Sequence, residues 1–199
     1  MTSLRHNHDE AREPRDAYLD AARDCILDVG WRRTTLTEVA RRAGVSRMTI
    51  YRTWADMPQL LGDLMTREWA GVVTAQVQAE EARPALDRIV AGISGTVRML
   101  RQNELFVRIV ELDPELILPY LFSRRGRSQD FILAVTAEAI AEGQKGEEIR
   151  KGNPVAIARA LLLAAHGFVL SVHTMVDDEA SEAELDDELA TLLTRSLRP

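Results

Sequence analysis

Apolar positions recur at helical spacing along almost the whole of this 199-residue chain. After Pro14, the residues Tyr18, Ala22, Cys25 and Val29 follow at i, i+4, i+7 and i+11, and Gly30 offers a stop, which predicts a first helix. Thr35 followed by Glu38 has capping-box spacing and opens a second helix that ends at Gly44, where the chain needs a residue tolerant of positive φ. Ser46 caps a third, through about Thr53. Asp56, with Pro58 in the first turn, starts a fourth that carries Leu60, Leu61, Leu64, Met65, Trp69, Val72 and Val73 to roughly Glu80. Beyond Pro84 a fifth helix runs through Leu86, Ile89, Val90, Ile93, Val97 and Leu100, and Asn103 caps a sixth that Pro114 ends. A long segment after Pro119 reaches Gly143 around the polar patch "SRRGRSQ", and "EGQKGEEIRKGNP" reads as loop. Val155 to Val176 is nearly unbroken apolar sequence, and Ser181 with Glu184 opens a last helix ending near Leu197. The predicted fold class is all-α, with about nine helices, no strand alternation and no internal repeat. Short helices come first and long ones follow.

A hydrophobic content of 46% excludes wholesale disorder, and a chain of this length buries one or two cores. No run approaches the roughly 20 apolar residues of a membrane span, so no membrane partner is expected. The polar start "MTSLRHNHDEAREP" lacks the apolar stretch of a signal peptide. One cysteine, Cys25, allows neither an intrachain disulfide nor a cysteine metal cluster, and a reducing cytoplasm is the expected location. The net charge of −6 is unevenly spread. From Trp31 to Ala55 six arginines face a single acid, Glu38, a local charge of +5 that leaves −11 on the remainder. A basic patch on an acidic body fits a nucleic-acid reader with a second task, although solvated helix faces give the same count.

That patch coincides with two helices joined by a short turn around Gly44, the spacing of a helix-turn-helix. Ala40 stands where helices crossing closely need a small side chain, and Val39, Val45 and Ile50 can close a miniature core. Arg47, Met48, Arg52 and Thr53 then remain on the outer face of the second helix, which fits a DNA major groove. Thr35, Thr37, Ser46, Thr49 and Tyr51 supply hydrogen-bonding groups near two helix N-termini, suited to phosphate. Trp54, four residues after Ile50, is expected to face inward.

The segment "GWRRTTLTEVARRAGVSRMTIYRTWADMPQLL" resembles the DNA-binding region of the TetR family of bacterial transcriptional regulators, with the likeness specific from about Tyr18 to Leu61. The resemblance implies a three-helix DNA-binding domain over 14–55 and a helical ligand-binding and dimerisation domain over 56–199, while residues 1–13, where Asp9 and Glu10 offset Arg5, read as a flexible arm. It implies base-edge contacts from Arg47, Met48 and Thr37, and phosphate contacts from Thr35, Ser46, Thr49, Tyr51 and Thr53, with Arg52 touching either. The implied partners are double-stranded DNA carrying a pseudo-palindromic operator, a second copy of the chain, and a small-molecule effector whose binding releases the operator. In one departure, Met57 stands where the family usually carries a phosphate-contacting lysine, leaving only backbone N–H groups to serve there.

The helices near 155–176 and 182–197 resemble the pair that forms a four-helix bundle across a two-fold axis, and Ala158, Ala164, Ala165 and Gly167 permit close approach. Candidate effector contacts are Trp69, Thr96, Met99, Phe106, Arg108, Phe131, His166 and His173, the two histidines sharing a face seven residues apart. They lack the spacing of a helical metal pair, so no metal or other cofactor is expected. No Gly-rich phosphate loop, serine elbow or HExxH element is present, and no catalytic residue is assigned. Two other readings use the same features: an architectural DNA binder without effector, and a helical small-molecule binder with weakened DNA binding.

Overall fold

The computed structural model describes residues 14–79 and 83–199, in two compact units that divide between Leu64 and Met65. The expected arm, with Arg5, His6 and His8, lies outside the described residues.

In the first unit α1 (Pro14–Val29) leads through a 3₁₀ turn (Trp31–Arg33) to α2 (Leu36–Arg42) and α3 (Arg47–Thr53), and α4 (Met57–Ala79) begins. Gly30 stops α1 with φ of 85°, and the Thr34 hydroxyl donates to its carbonyl at 2.9 Å, so Thr34, 4% exposed, locks the turn. Gly44 takes φ of 68° and lets the Val45 amide return to the Ala40 carbonyl at 3.0 Å. Leu19, Ala22, Cys25 and Ile26 of α1 are buried, as are Leu36, Val39 and Ala40 of α2, Ile50 of α3, and Trp54, Leu60 and Leu64. Each fully buried branched side chain here contributes about 1.5–3 kcal/mol, enough to hold helices too short to persist alone. Val29 ends α1 exposed rather than completing the expected stripe, and burial pushes the Cys25 thiol pKa up, keeping it protonated.

The second unit holds the rest of α4, then α5 (Ala85–Gln102), α6 (Glu104–Leu112), α7 (Leu118–Phe122), α8 (Arg127–Lys145), α9 (Pro154–Ser171) and α10 (Glu182–Leu197). Among the described residues there are thus ten α-helices and no strand, one helix more than expected, because the polar patch separates α7 from α8. α5 packs against α8, α9 and α10 around Ile89, Val97, Ile140, Leu161, Leu189, Leu193 and Leu197. Arg101, almost buried, bridges both carboxylate oxygens of Asp186 at 2.7 Å and Glu182 at 3.0 Å, tying α5 to α10.

Gly143 is not the stop that the sequence indicates: α8 continues to Lys145. A Cβ there would stand 2.6 Å from Ile149 Cδ1 and 3.0 Å from the Ala85 Cβ, so the glycine admits close packing. Asn103 and Ser181 cap α6 and α10 as expected, and the Ser181–Glu184 box is reciprocal. The absence of a membrane-length run needs correction. Pro154–Thr174 is long and apolar enough to span a bilayer, and only 28% of its most apolar 18 residues is buried within the chain. Its outward face carries Ala156, Ala160, Leu163, Ala164 and Gly167.

Candidate nucleic-acid interface

α3 is built to expose one face. The Ser46 hydroxyl accepts the Thr49 amide at 3.2 Å and fixes where the helix starts; Ile50 anchors its inner side, and the Trp54 amide closes its end on the Ile50 carbonyl at 2.9 Å. Around this anchor Arg47, Met48, Tyr51, Arg52 and Thr53 are exposed, Met48 by 70% and Tyr51 by 51%. An exposed methionine and tyrosine thus stand beside two arginines on the outer side of a two-turn helix.

The six arginines of the patch separate by what holds them. Arg41 grips Glu38 through two bonds of 2.9 and 2.6 Å, Arg42 reaches Asp28 of α1 at 2.5 Å, and Arg33 donates to the Val29 carbonyl at 2.9 Å. Arg32 is exposed at the 3₁₀ turn. For Arg47 and Arg52, no hydrogen bond or ion pair occurs within the chain among the described residues. Three arginines therefore brace the domain, and these two present their charge outward.

The hydroxyls separate similarly. Thr35 caps α2 by accepting the Glu38 amide at 3.2 Å and keeps its own proton for a partner; the expected box is only half formed, because Arg41 occupies the Glu38 carboxylate. That contact also holds the Glu38 carboxyl below its ordinary pKa. Thr37 is half-buried, and Ser46 and Thr49 share a bond of 2.9 Å. Thr53 donates to the Thr49 carbonyl at 3.1 Å, so in this rotamer it has only lone pairs to offer. The start of α4 suits phosphate less than expected: the Asp56 carboxylate accepts the Gln59 amide at 2.8 Å, placing negative charge beside Met57.

Sequence reading missed Asp63. Its Oδ2 accepts the Trp54 indole N–H at 2.7 Å and also the Arg15 guanidinium, which lies 5.7 Å from the centre of the Trp54 ring. Tyr18 meets the same ring edge-on at 6.4 Å. One carboxylate so joins α4 to α1 and to the end of α3. Its 48-residue separation from Arg15 leaves no local signal.

The candidate effector residues do not converge as a group. Trp69 and Phe106 stack edge-on at 5.9 Å, with the Trp69 Nε1 buried and without a hydrogen-bond partner, and the Arg108 Nε is buried and unpartnered too. Arg108 lies two residues from Phe106 on α6 and so faces elsewhere. Thr96 is half-buried, whereas Met99 and Phe131 are each 41% exposed. His166 lies 3.5 Å from the Gln129 side chain, and burial lowers its pKa and keeps it neutral. The shared histidine face is corrected: α9 ends at Ser171 and tightens into a 3₁₀ turn (Val172–Thr174), leaving His173 exposed. No cluster of metal-binding side chains occurs among the described residues.

Residues 19–64 match the model of bacterial regulatory proteins of the tetR family. An HTH-type transcriptional regulator of Mycobacterium tuberculosis, itself uncharacterised, is 31% identical over 88% of this chain and 89% of its own length. The chain belongs to the TetR family. Its fold is that of solved regulators across nearly the whole length. The FadR regulator of Bacillus subtilis, solved with stearoyl-CoA, aligns with a TM-score of 0.63 at 18% identity, over 91% of this chain and 98% of that one. The TetR-family repressor QsdR of R. erythropolis also aligns at 0.63 and 18%, covering 94% and 96%. In this TetR-family regulator the exposed face of α3 is therefore the second helix of a helix-turn-helix.

Proposed function

We propose that this transcriptional regulator acts as a homodimeric repressor, inserting α3 of each subunit into successive major grooves of a pseudo-palindromic operator. The observation that carries the proposal is the face of α3, where Arg47, Met48, Tyr51 and Arg52 are exposed and both arginine side chains lack a partner among the described residues. Arg47 and Met48 read base edges, with Thr37 beside them; Thr35, Ser46, Thr49 and Tyr51 hold phosphates, and Arg52 serves either. Thr53 joins the phosphate set only after rotating its hydroxyl away from α3.

Dimerisation uses the outward faces of α9 and α10. A Cβ added at Gly167 would meet nothing within 4 Å, and Leu163 and Leu192 are 71% and 57% exposed, so the chain itself gives no reason for this small and apolar surface. A second copy does. The effector, a small molecule as with the stearoyl-CoA of FadR, binds among the helices of the second unit, where the Trp69 nitrogen, buried beside Phe106, offers a donor. α4 carries the response, because Asp63 fastens it to Trp54 at the end of the reading helix. The effector needs only higher affinity for the conformation that cannot bind DNA. The chain works in the cytoplasm without enzymatic activity, metal or other cofactor.

Footprinting of the purified protein on the intergenic DNA beside its gene, at several salt concentrations, tests this reading. A short two-fold protected site supports it. Uniform coverage that responds only to salt supports DNA packaging instead.

A further inference from the structure

An open groove of about 590 Å³ runs between the start of α1 and the outer end of α3, lined by Pro14, Arg15, Tyr18, Thr49, Arg52 and Thr53. It combines two guanidinium groups with three hydroxyl-bearing side chains, and none of the six lining residues is acidic. We propose that this groove seats a phosphate of the DNA backbone, with Arg15 as the anchoring cation. The proposal rests on α3 entering the major groove, since that seating brings a flanking strand alongside the helix.

Arg15 is set for this task in three ways. Asp63 binds one guanidinium nitrogen, Nη2, and the Trp54 ring lies beneath the group, so its direction is fixed before any partner arrives. The Arg15 side chain nevertheless remains 52% exposed, whereas the Asp63 side chain is only 12% exposed. The carboxylate thus faces the protein interior, and the cation faces the groove. Finally, Arg15 occupies the first turn of α1, where the helix dipole favours an anion. Around the α3 axis, Arg52 lies between the Arg47–Tyr51–Met48 arc and the Thr49–Thr53 edge, so one strand can pass from the reading face into the groove.

A brace and an anchor differ in what salt does. Bound to a short random-sequence duplex, Arg15→Gln should show a salt slope of log K against log [KCl] shallower by about 0.9 per bound subunit, and Arg15→Lys should restore it. Both substitutions weaken the Trp54 stack, so a bracing role would lower the melting temperature and leave the slope at the parental value. That result overturns the proposal. If Arg15→Gln does not fold, the parental protein serves: phenylglyoxal labelling of Arg15, read by peptide mass spectrometry, should fall when duplex is added. Equal labelling with and without bound DNA overturns the proposal as well. Failure of the parental protein to bind any duplex would instead refute the DNA-reading function on which the groove depends.

Discussion

Arg47 and Met48 stand in the first turn of α3 with solvent-facing side chains, and the proposed reading gives them partners outside the chain. A guanidinium that grips a guanine edge with two bonds discriminates against other bases; one that grips phosphate does not. Arg47→Ala should therefore lose about 1–3 kcal/mol on the operator and relax base preference, with little change on random DNA. Binding isotherms on both duplexes check this. Gly44 bears on stability. A Cβ there would touch nothing within 4 Å, so Gly44→Ala isolates the cost of positive φ, about 1–2 kcal/mol, and Gly44→Asn should recover part of it in urea denaturation. Both residues are legible in sequence because their chemistry is local. Gly143 is not: glycine reads equally as a stop or as a close approach, and only Ile149 folding back onto α8 decides between them.

Helix starts were the most readable elements. Asn103, Ser181, Ser46 and Asp56 each satisfy an amide three residues on, a relation the sequence contains entirely. The Thr35–Glu38 pair failed by half, because Arg41 competes for the same carboxylate three residues along the helix. The polar links between helices carry no such local signal. Asp63 serves Trp54 and Arg15 through a single oxygen, so removing either partner changes what the other contributes. Asp63→Ala strands the buried indole N–H and should destabilise the protein by about 1–3 kcal/mol in urea denaturation. Combined with Trp54→Phe, the loss should fall short of the sum by on the order of 1 kcal/mol. Strict additivity would show that Asp63 does not couple α4 to the reading helix.

Two units with different surfaces make up the molecule, a first with no net charge that concentrates its arginines between Trp31 and Ala55, and an acidic helical body whose α9 is apolar on its outer side. The hydrophobic pattern conveyed the class of each, yet it could not separate a membrane-length helix from a helix covered by a second subunit, since both hide an apolar face from water. The proposed dimer makes the second of these testable. At Gly167, which is exposed, an added Cβ meets nothing within 4 Å, and leucine improves helix propensity by about 0.5–1 kcal/mol, so each Gly167→Leu subunit should remain folded. In sedimentation equilibrium the dimer should nonetheless dissociate at protein concentrations where the parent does not, and operator affinity should fall with it. The effector site was the least legible feature, because buried nitrogens such as those of Trp69 and Arg108 reveal a need for acceptors without revealing which molecule supplies them. Selection of bound sequences from a random duplex pool tests sequence-specific reading by a two-fold pair of α3 helices most directly. An inverted repeat should emerge, with half-site centres about one helical turn, 34–36 Å, or slightly more apart; a bound pool no different in sequence from the starting one would contradict it.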